Sequence, residues 1–306
     1  MCLLKIATLA IIGLVLQGIA SASPLPVKEV AKGIFVHQGA HEDFDENYHG
    51  DIANIGFIVG DDAVAVIDTG GDIAVGKALR EAIRQITDRP IRYVINTHVH
   101  PDHIFGNAAF SLDNPKYVGH HRLPAAMQQR REAYLRNLQQ QLAQAADGSA
   151  LIQPEVLVND VSTLDLGGRK LTLKAWATAH TNNDLTVHDD LTNTLWLSDL
   201  LFVERTPSID GDIKGWISVI EELKKLDAKL VIPGHGAVSS DKDASLERQR
   251  QYLQVLLDDV RFSIKSGMSM TDTMEAAANS QRQAWVLFDV VNRRNVNIIF
   301  PALEWE

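Results

Sequence analysis

Cysteine is almost missing from this chain. Cys2 is the only one among 306 residues. It stands before an apolar run, whereas a lipid-bearing cysteine would follow such a run. Beyond residue 22 there is no thiol at all. That excludes a disulfide, a cysteine nucleophile and a thiolate metal ligand. Basic charge is also scarce. The chain carries 29 Lys and Arg against 39 Asp and Glu, a formal net charge of −10, and no basic cluster. Nucleic-acid binding rests mainly on Lys and Arg contacts to phosphate, so nucleic acid is a poor partner. Internal repeats, low-complexity tracts and an obvious linker are missing too. Past the N-terminus, no apolar run approaches the ~20 residues needed to span a bilayer.

The N-terminus itself is apolar. In "MCLLKIATLAIIGLVLQGIASASP", Lys5 precedes a mostly apolar run over residues 6–19, and Ala20-Ser21-Ala22 follows. A short charged head, an apolar centre and an A-x-A site describe a secretory signal peptide. Cleavage after Ala22 would leave residues 23–306 as the mature chain, periplasmic or secreted, with no membrane span. It would also remove Lys5 and make the mature chain slightly more acidic. The alternative is an uncleaved anchor helix, for which the run is short. The remaining length suits one large α/β domain or two small ones.

Strands and helices alternate along it. "KGIFVHQG", "NIGFIVGDD" and "AVAVIDTGG" are rich in Ile, Val and Phe and stopped by Gly and Asp, as short strands are. Residues 72–87 place Ile73, Leu79, Ile83 and Ile86 at helical spacing behind a capping Asp72. "IRYVINTH" and "KYVGHH" resume strands. Residues 122–146 read as one long helix. "RKLTLKAWATAH" and "LTVHDDLTNTLWLSD" are strands again, the latter turning at "DDLTN". Residues 218–226 read as helix, "KLVIPGHG" as strand, residues 241–263 as a long helix, and another helix starts at Thr271. Two β-rich halves with helices outside imply a layered α/β/β/α domain.

The chemistry is concentrated in "NTHVHPDHIFGN". His98, His100, Asp102 and His103 crowd four candidate ligands into six residues, which a solvated loop does not need. Side chains two apart on a strand face one side, so the strand end would aim His98 and His100 together. After Pro101 the chain turns, and Asp102 and His103 can face a second point. Imidazole nitrogen and carboxylate oxygen both suit Zn²⁺.

His98-Val-His100-Pro-Asp102-His103 resembles the H-x-H-x-D-H signature of the metallo-β-lactamase fold. "VIDTGG" before it resembles the family's early strand ending in Asp, here Asp68, and "AHTNND", "LWLSDLLF" and "VIPGHG" resemble the later motifs in order, bringing in His180, Asp199 and His235. The resemblance implies a four-layer αββα sandwich with a C-terminal helical extension over residues 23–306. It implies His98, His100 and His180 on one ion, Asp102, His103 and His235 on a second, and Asp199 bridging both. Two Zn²⁺ ions sharing a hydroxide would supply a nucleophile near neutral pH and stabilise the oxyanion that forms. Asp102 would also serve catalysis by accepting or relaying a proton. Asp68 reads equally as a brace for a ligand histidine or as a turn residue. His120 and His121 could line the cleft, His37 and His188 read as strand residues, and His41 and His49 sit in an acidic loop. Asn182 and Asn183 would touch substrate or form a turn.

"FVHQGAHEDF", "GDIANIGFIVG", "GHHRLPAAM" and "NRRNVNIIFPALEWE" further resemble the quinoprotein relay system zinc metallohydrolases. That implies a periplasmic metallo-hydrolase associated with a quinoprotein dehydrogenase system. The complete set of seven candidate ligands supports the expectation that a metal-bound hydroxide attacks a small ester, thioester, lactone or β-lactam carbonyl. A thioesterase of this fold would carry basic residues for an anionic thiol near its C-terminus, where Arg248, Arg250, Arg293 and Arg294 are available. Two alternatives stand beside it. One is a non-catalytic metal-binding accessory protein of a quinoprotein or sulfur-oxidation pathway. The other is a mononuclear iron sulfur dioxygenase, since an oxygenase branch keeps the signature.

Overall fold

The computed structural model describes residues 23–43 and 48–306. The expected signal peptide, residues 1–22, lies outside them, as do residues 44–47 of the acidic loop. The first sheet contains β1 (Lys28–Ala31), β2 (Ile34–His37), β3 (Ile55–Val59), β4 (Val64–Ile67), β5 (Ile91–Asn96), β6 (Lys116–His120) and β7 (Val156–Val158), side by side in chain order. Pairing is antiparallel up to β4 and parallel from β4 to β7. The second sheet contains β8 (Val161–Asp165), β9 (Lys170–Ala175), β10 (Leu185–Asp189), β11 (Thr194–Phe202) and β12 (Leu230–His235), in the order β12-β11-β10-β9-β8. Its β11–β12 pair alone is parallel.

Strand alternation explains the layering. In β4, Ala65 and Ile67 face inward with Ile95, where they meet Leu173, Val187, Trp196 and Ile232 of the second sheet. Val64 and Val66 face outward and pack on Val75, Leu79 and Ile83 of α1 (Ile73–Ile86). Successive strand side chains point to opposite faces. With both faces covered, all four residues of β4 are buried, as parallel strands in layered sheets are. The outer face of the second sheet presents Leu195, Leu197 and Val231 to α4 (Ile213–Lys224), α5 (Lys242–Lys265) and α7 (Phe288–Leu303). The result is the expected helix–sheet–sheet–helix order.

Caps set the helix starts. Asp72 accepts from the Val75 amide at 2.7 Å, and Asp241 accepts from the Ala244 amide at 3.0 Å. Such side-chain acceptors satisfy amides that the first turn leaves open. Helix α4 begins five residues before the expected 218, because Asp212 caps it and Ile213, Trp216, Val219, Ile220 and Leu223 form its buried stripe. The helix expected over residues 122–146 is α3 (Leu123–Leu142), followed by a 3-10 turn at Ala143–Ala146 where Ala143 turns to φ 44°. The helix expected from Thr271 is the short α6 (Met270–Ala276), and a further turn separates it from α7. Between β5 and β6 lie one turn of α-helix, α2 (Pro101–Ile104), and a 3-10 helix at Asn107–Asp113.

Two polar stitches join the sheets. Asn54 donates from Nδ2 to the carbonyls of Pro233 and Gly236, both at 2.8 Å and 179 and 182 residues further along the chain. Buried Arg169, beside β9, forms a fork onto Asp189 at 2.7 and 3.0 Å and donates to the Val59 carbonyl of the first sheet at 2.8 Å. Burial pushes the Asp189 carboxyl up, but the Arg169 and Thr192 hydrogen bonds outweigh it and hold it below the usual range. Its contribution to stability is therefore full above the unfolded carboxyl value and lost as pH falls. Arg169→Ala strands a buried carboxylate. Urea denaturation should show a loss of about 3–5 kcal/mol at pH 7, whereas a loss below about 1 kcal/mol would place the stitch among inconsequential ion pairs.

Candidate metal centre

The centre sits where loops and strand ends of both sheets meet. Strand β5 stops at Asn96, so His98 and His100 lie just beyond it rather than in strand geometry. His100 occupies the N-cap of α2 with Pro101 at the first helical position, a place proline favours because its missing amide is not needed there. Asp102 and His103 follow on that turn of helix. His180 comes from the β9–β10 loop, Asp199 from within β11, and His235 from the last position of β12.

Local backbone irregularity aims Asp199. The β11–β12 register shifts on both sides of Ser198, which adopts φ 48°. A shift of this kind bends a strand and redirects the side chains beside it. Gly234 on β12 makes room for the result, since a Cβ there would lie 1.8 Å from Asp199 Oδ1. Only glycine tolerates that approach.

Two groups of ligand atoms result, each with its atoms within 4.8 Å of one another: His98, His100, His180 and Asp199, and then Asp102, His103 and His235. Asp199 joins them. Its Oδ1 is 3.1 Å from His103 Nε2, and its Oδ2 is 3.2 Å from His180 Nε2, 3.4 Å from His235 Nε2 and 3.7 Å from His98 Nε2. His235 Nε2 is 3.5 Å and His103 Nε2 3.6 Å from Asp102 Oδ2. All seven are buried except His100, whose side chain is partly exposed.

The outward nitrogens decide what the inward ones can do. His180 Nδ1 donates to the Ser208 carbonyl at 2.7 Å, and His235 Nδ1 to the Ile52 carbonyl at 2.7 Å. His103 Nδ1 lies 2.8 Å from Asp68 Oδ2, and His100 Nε2 3.0 Å from Asp210 Oδ2. Carbonyls and carboxylates only accept, so these outward nitrogens carry the protons. In the neutral rings, the lone pairs of His100 Nδ1 and of Nε2 on His103, His180 and His235 therefore converge. His180 Nε2 and His100 Nδ1 face each other at 2.9 Å, and with both rings neutral they would be two acceptors opposed. His98 Nε2, His103 Nε2 and Asp199 Oδ1 are buried without a hydrogen-bond partner. Orphaned acceptors cost stability unless something satisfies them, and cations do. The donor set is nitrogen and oxygen without sulfur, which fits Zn²⁺ and other first-row ions.

Electrostatics divide the rings. Burial lowers His98 and His235. It pushes His103 and His180 the same way, but neighbouring carboxylates, Asp199 first, outweigh it and raise them, so a bound cation would have to displace protons from those two. Burial, with His103 next, drives the His98 imidazole well below its usual value and keeps it neutral, as a ligand must be. Burial pushes His103 the same way, but the carboxylates of Asp199, Asp102 and Asp68 outweigh it and raise it. Burial would raise Asp199, yet the surrounding imidazoles, His235 first, hold it well below the usual carboxylate range.

Asp68 acts as a brace. It is fully buried at φ 54° and binds the Thr97 amide at 2.8 Å, the Thr97 hydroxyl at 2.7 Å and His103. The other candidates are held elsewhere. His120 is buried between the Trp176 carbonyl at 3.3 Å and the Arg122 amide at 3.0 Å, and burial, with His121 next, lowers it to about 4. His49 is exposed beside Glu42, and His41 pairs with Glu204 at 3.2 Å. His37 joins Asp51 and the Pro26 carbonyl, and His188 joins Asp190 and Asn193. Asn182 and Asn183 bond each other in a turn. None of the four C-terminal arginines forms an anion patch. Arg248 covers Trp285, Arg250 pairs with Glu247, Arg293 with Glu275, and Arg294 with Asp43.

Residues without a sequence motif complete the centre. Asp210 orients His100 and is itself held by Arg130 of α3 at 2.8 Å. Arg205, the lone cation in the apolar stretch "LFVERTPSI", is 95% buried, at 5% relative exposure, in the field of Asp102 and Asp199. Next to Asp102, a cleft of about 200 Å³ opens between Tyr48, Pro101, Phe105 and the Tyr134 and Leu138 side of α3.

With fold and site in place, comparisons with known proteins become informative. The family model described as the Metallo-beta-lactamase superfamily matches residues 49–235, well over half of the chain. The chain belongs to the metallo-β-lactamase superfamily. A linear primary-alkylsulfatase from a Pseudomonas species is 33% identical over 64 residues. That stretch is 21% of this chain and only 12% of that enzyme. Among solved structures, the stereoselective inverting sec-alkylsulfatase Pisa1 from Pseudomonas sp. superposes with a TM-score of 0.70 at 18% identity, over 90% of this chain and 50% of that one. The metallo-beta-lactamase from Pontibacter korlensis gives 0.58 at 20% identity, over 75% of this chain and 99% of that one. At these identities the structural likeness is one of fold.

If outward partners set the ligand geometry, removing one weakens metal binding without unfolding the chain. Asp210→Ala, at a partly exposed carboxylate, should lower metal affinity about 10- to 100-fold in competition with a chromophoric chelator. Unchanged affinity would show that His100 needs no such partner. Gly234→Ala should displace Asp199 and cost at least as much in the same assay.

Proposed function

We propose that this protein is a dinuclear zinc hydrolase, exported to the periplasm, that acts on a small ester, thioester, lactone or β-lactam. The observation that carries this reading is the convergence of lone pairs on one buried carboxylate, with His98 Nε2, His103 Nε2 and Asp199 Oδ1 left without partners. His98, His100, His180 and Asp199 would hold one ion, and Asp102, His103 and His235 the other, with Asp199 between. Bound there, the two ions would supply an activated water at neutral pH and positive charge for a developing oxyanion. The chain's own part is to fix geometry and protons. Asp68 and Asp210 hold the rings, and in this reading Asp102 would accept or relay a proton while the cleft beside Pro101 would receive substrate. Two ligand groups, each with at least three donors, support two ions over a mononuclear iron site. A link to a quinoprotein dehydrogenase system is proposed on the sequence resemblance.

A second reading, hydrolysis of a sulfate ester, is favoured by likeness to alkylsulfatases in both sequence and fold. One set of measurements separates the readings. Metal analysis of the reconstituted chain should give about two ions per molecule. A panel of esters, thioesters, lactones, β-lactams and alkyl sulfates should then reveal turnover on one class. Asp199→Ala should lose one ion and at least about 100-fold in rate, more than loss of an outer partner costs. Full zinc content and parental rate in that variant would remove Asp199 from the bridge. Two ions with no turnover on any class would instead support an accessory role, and bound iron with oxygen consumption would support the oxygenase.

A further inference from the structure

Helix α3 turns a patterned face towards the ligand loop. Tyr134, Asn137, Leu138 and Gln141 recur at the i, i+3, i+4 and i+7 spacing of one helical stripe, and all four line the cleft of about 200 Å³. Arg130 stands one turn earlier, where Asp210 holds it at 2.8 Å. From there on the stripe is uncharged. The facing wall is continuous with the ligands themselves. Pro101 lies in the chain between His100 and Asp102, one ligand from each group, and Phe105 lies two residues past His103. The Tyr134 and Phe105 rings meet edge to face with centroids 6.3 Å apart, and Leu138 packs in the same apolar cluster as Phe105. An aromatic corner is therefore already built. The exposed carboxamides of Asn137 and Gln141 stand at the rim.

Two properties of this cleft restrict its occupant. The first is charge. Among the described residues, no charged side chain lines it, so a charge brought there from water would find no ion to pair with, which is costly. The second is size. An apolar cavity of about 150 Å³ takes a benzene ring, whereas drug-sized ligands occupy about 300 Å³ or more. A volume of about 200 Å³ suits one ring with a few further atoms.

We propose that the cleft is the specificity subsite of the hydrolase, holding an uncharged group of about one aromatic ring beside the reacting bond, with Tyr134 as the side chain that selects it. This deepens the hydrolase reading and rests on it for its role, but binding tests it separately. The probes are acetamide, phenylacetamide, and phenylacetamide bearing a 4-carboxylate or a 4-aminomethyl group. Each is titrated into the full-length protein, with and without zinc, by ligand-observed NMR. Phenylacetamide should bind at least about tenfold more tightly than acetamide, as burial of a ring provides. Both charged derivatives should bind at least about tenfold more weakly than phenylacetamide. Tyr134→Ala should cut the phenylacetamide-to-acetamide ratio by at least about fivefold, and Tyr134→Phe should keep it. Asn137→Trp, at an exposed position, should fill the slot without opening a cavity and cut the ratio as well.

A smaller ratio in the parent would overturn the proposal. So would either charged derivative binding as tightly as phenylacetamide; if only the cation did so, the acidic net charge rather than an uncharged wall would be selecting. The parental ratio kept in both Tyr134→Ala and Asn137→Trp would place the ring elsewhere and overturn it too. A ring preference that depends on Tyr134, with no turnover on any substrate class, would leave the subsite standing and count against the hydrolase reading. Turnover without ring preference, in binding or in kcat/KM, would do the reverse.

Discussion

A single carboxylate inside a ring of imidazoles organises this molecule. Asp199 lies within 3.7 Å of the inward nitrogens of His98, His103, His180 and His235. Those nitrogens can face it only because their outward neighbours are fixed by carbonyls, a carboxylate and a hydroxyl. The fixing groups come from Ile52, Asp68, Thr97 and Ser208, which belong to different stretches of both halves. The fold is thus held in register by the same contacts that orient the ligands. The left-handed backbone at Asp68 and Ser198, where non-glycine residues carry strain of order 1 kcal/mol or more, occurs where that register must be set.

The surrounding architecture keeps this polar centre compatible with a dry interior. Between the sheets, Ile, Val and Leu side chains interdigitate, while the centre stays at the sheet ends, where loops can reach it. Arg169 with Asp189, and Asn54 with the backbone around Gly234, tie the sheets at separate points. On the far side, α3 contributes to the centre through Arg130, which pairs with Asp210 and so acts on His100 at one remove. The same helix lines the cleft through Tyr134 and Leu138. One element therefore touches both metal geometry and substrate space.

How much was legible in the sequence depended on distance along the chain. Four candidate ligands in six residues are visible without any fold, because the pattern is local. Alternation in "AVAVIDTGG" and helical spacing over residues 72–87 were legible for the same reason, and the layers follow from them. His180, Asp199 and His235 could be placed only through the order of the family's motifs, since nothing local distinguishes them from other buried polar residues. Asp210, Arg130, Arg205 and Tyr48 have no such marker. Their roles arise from approaches between segments far apart in the chain, as between His100 and Asp210, 110 residues apart. The strand reading of His98 and His100 had a related weakness. Period two predicts one shared side, but β5 ends early, and the two rings reach their common point by different nitrogens. The start of α4 was misjudged because its cap, Asp212, lies outside the apolar run.

The placement of His235 at the close of β12 bears on how the molecule comes together. Every strand of the first sheet, and the loop bearing His98 to His103, lies within residues 28–158. Asp199, His235 and the Gly234 backbone against which Asn54 closes come from beyond them. Neither half alone carries a full ligand set. Docking of the second sheet on the first and completion of the ion site are therefore one event, and an ion that binds the finished site stabilises the pairing of the two halves.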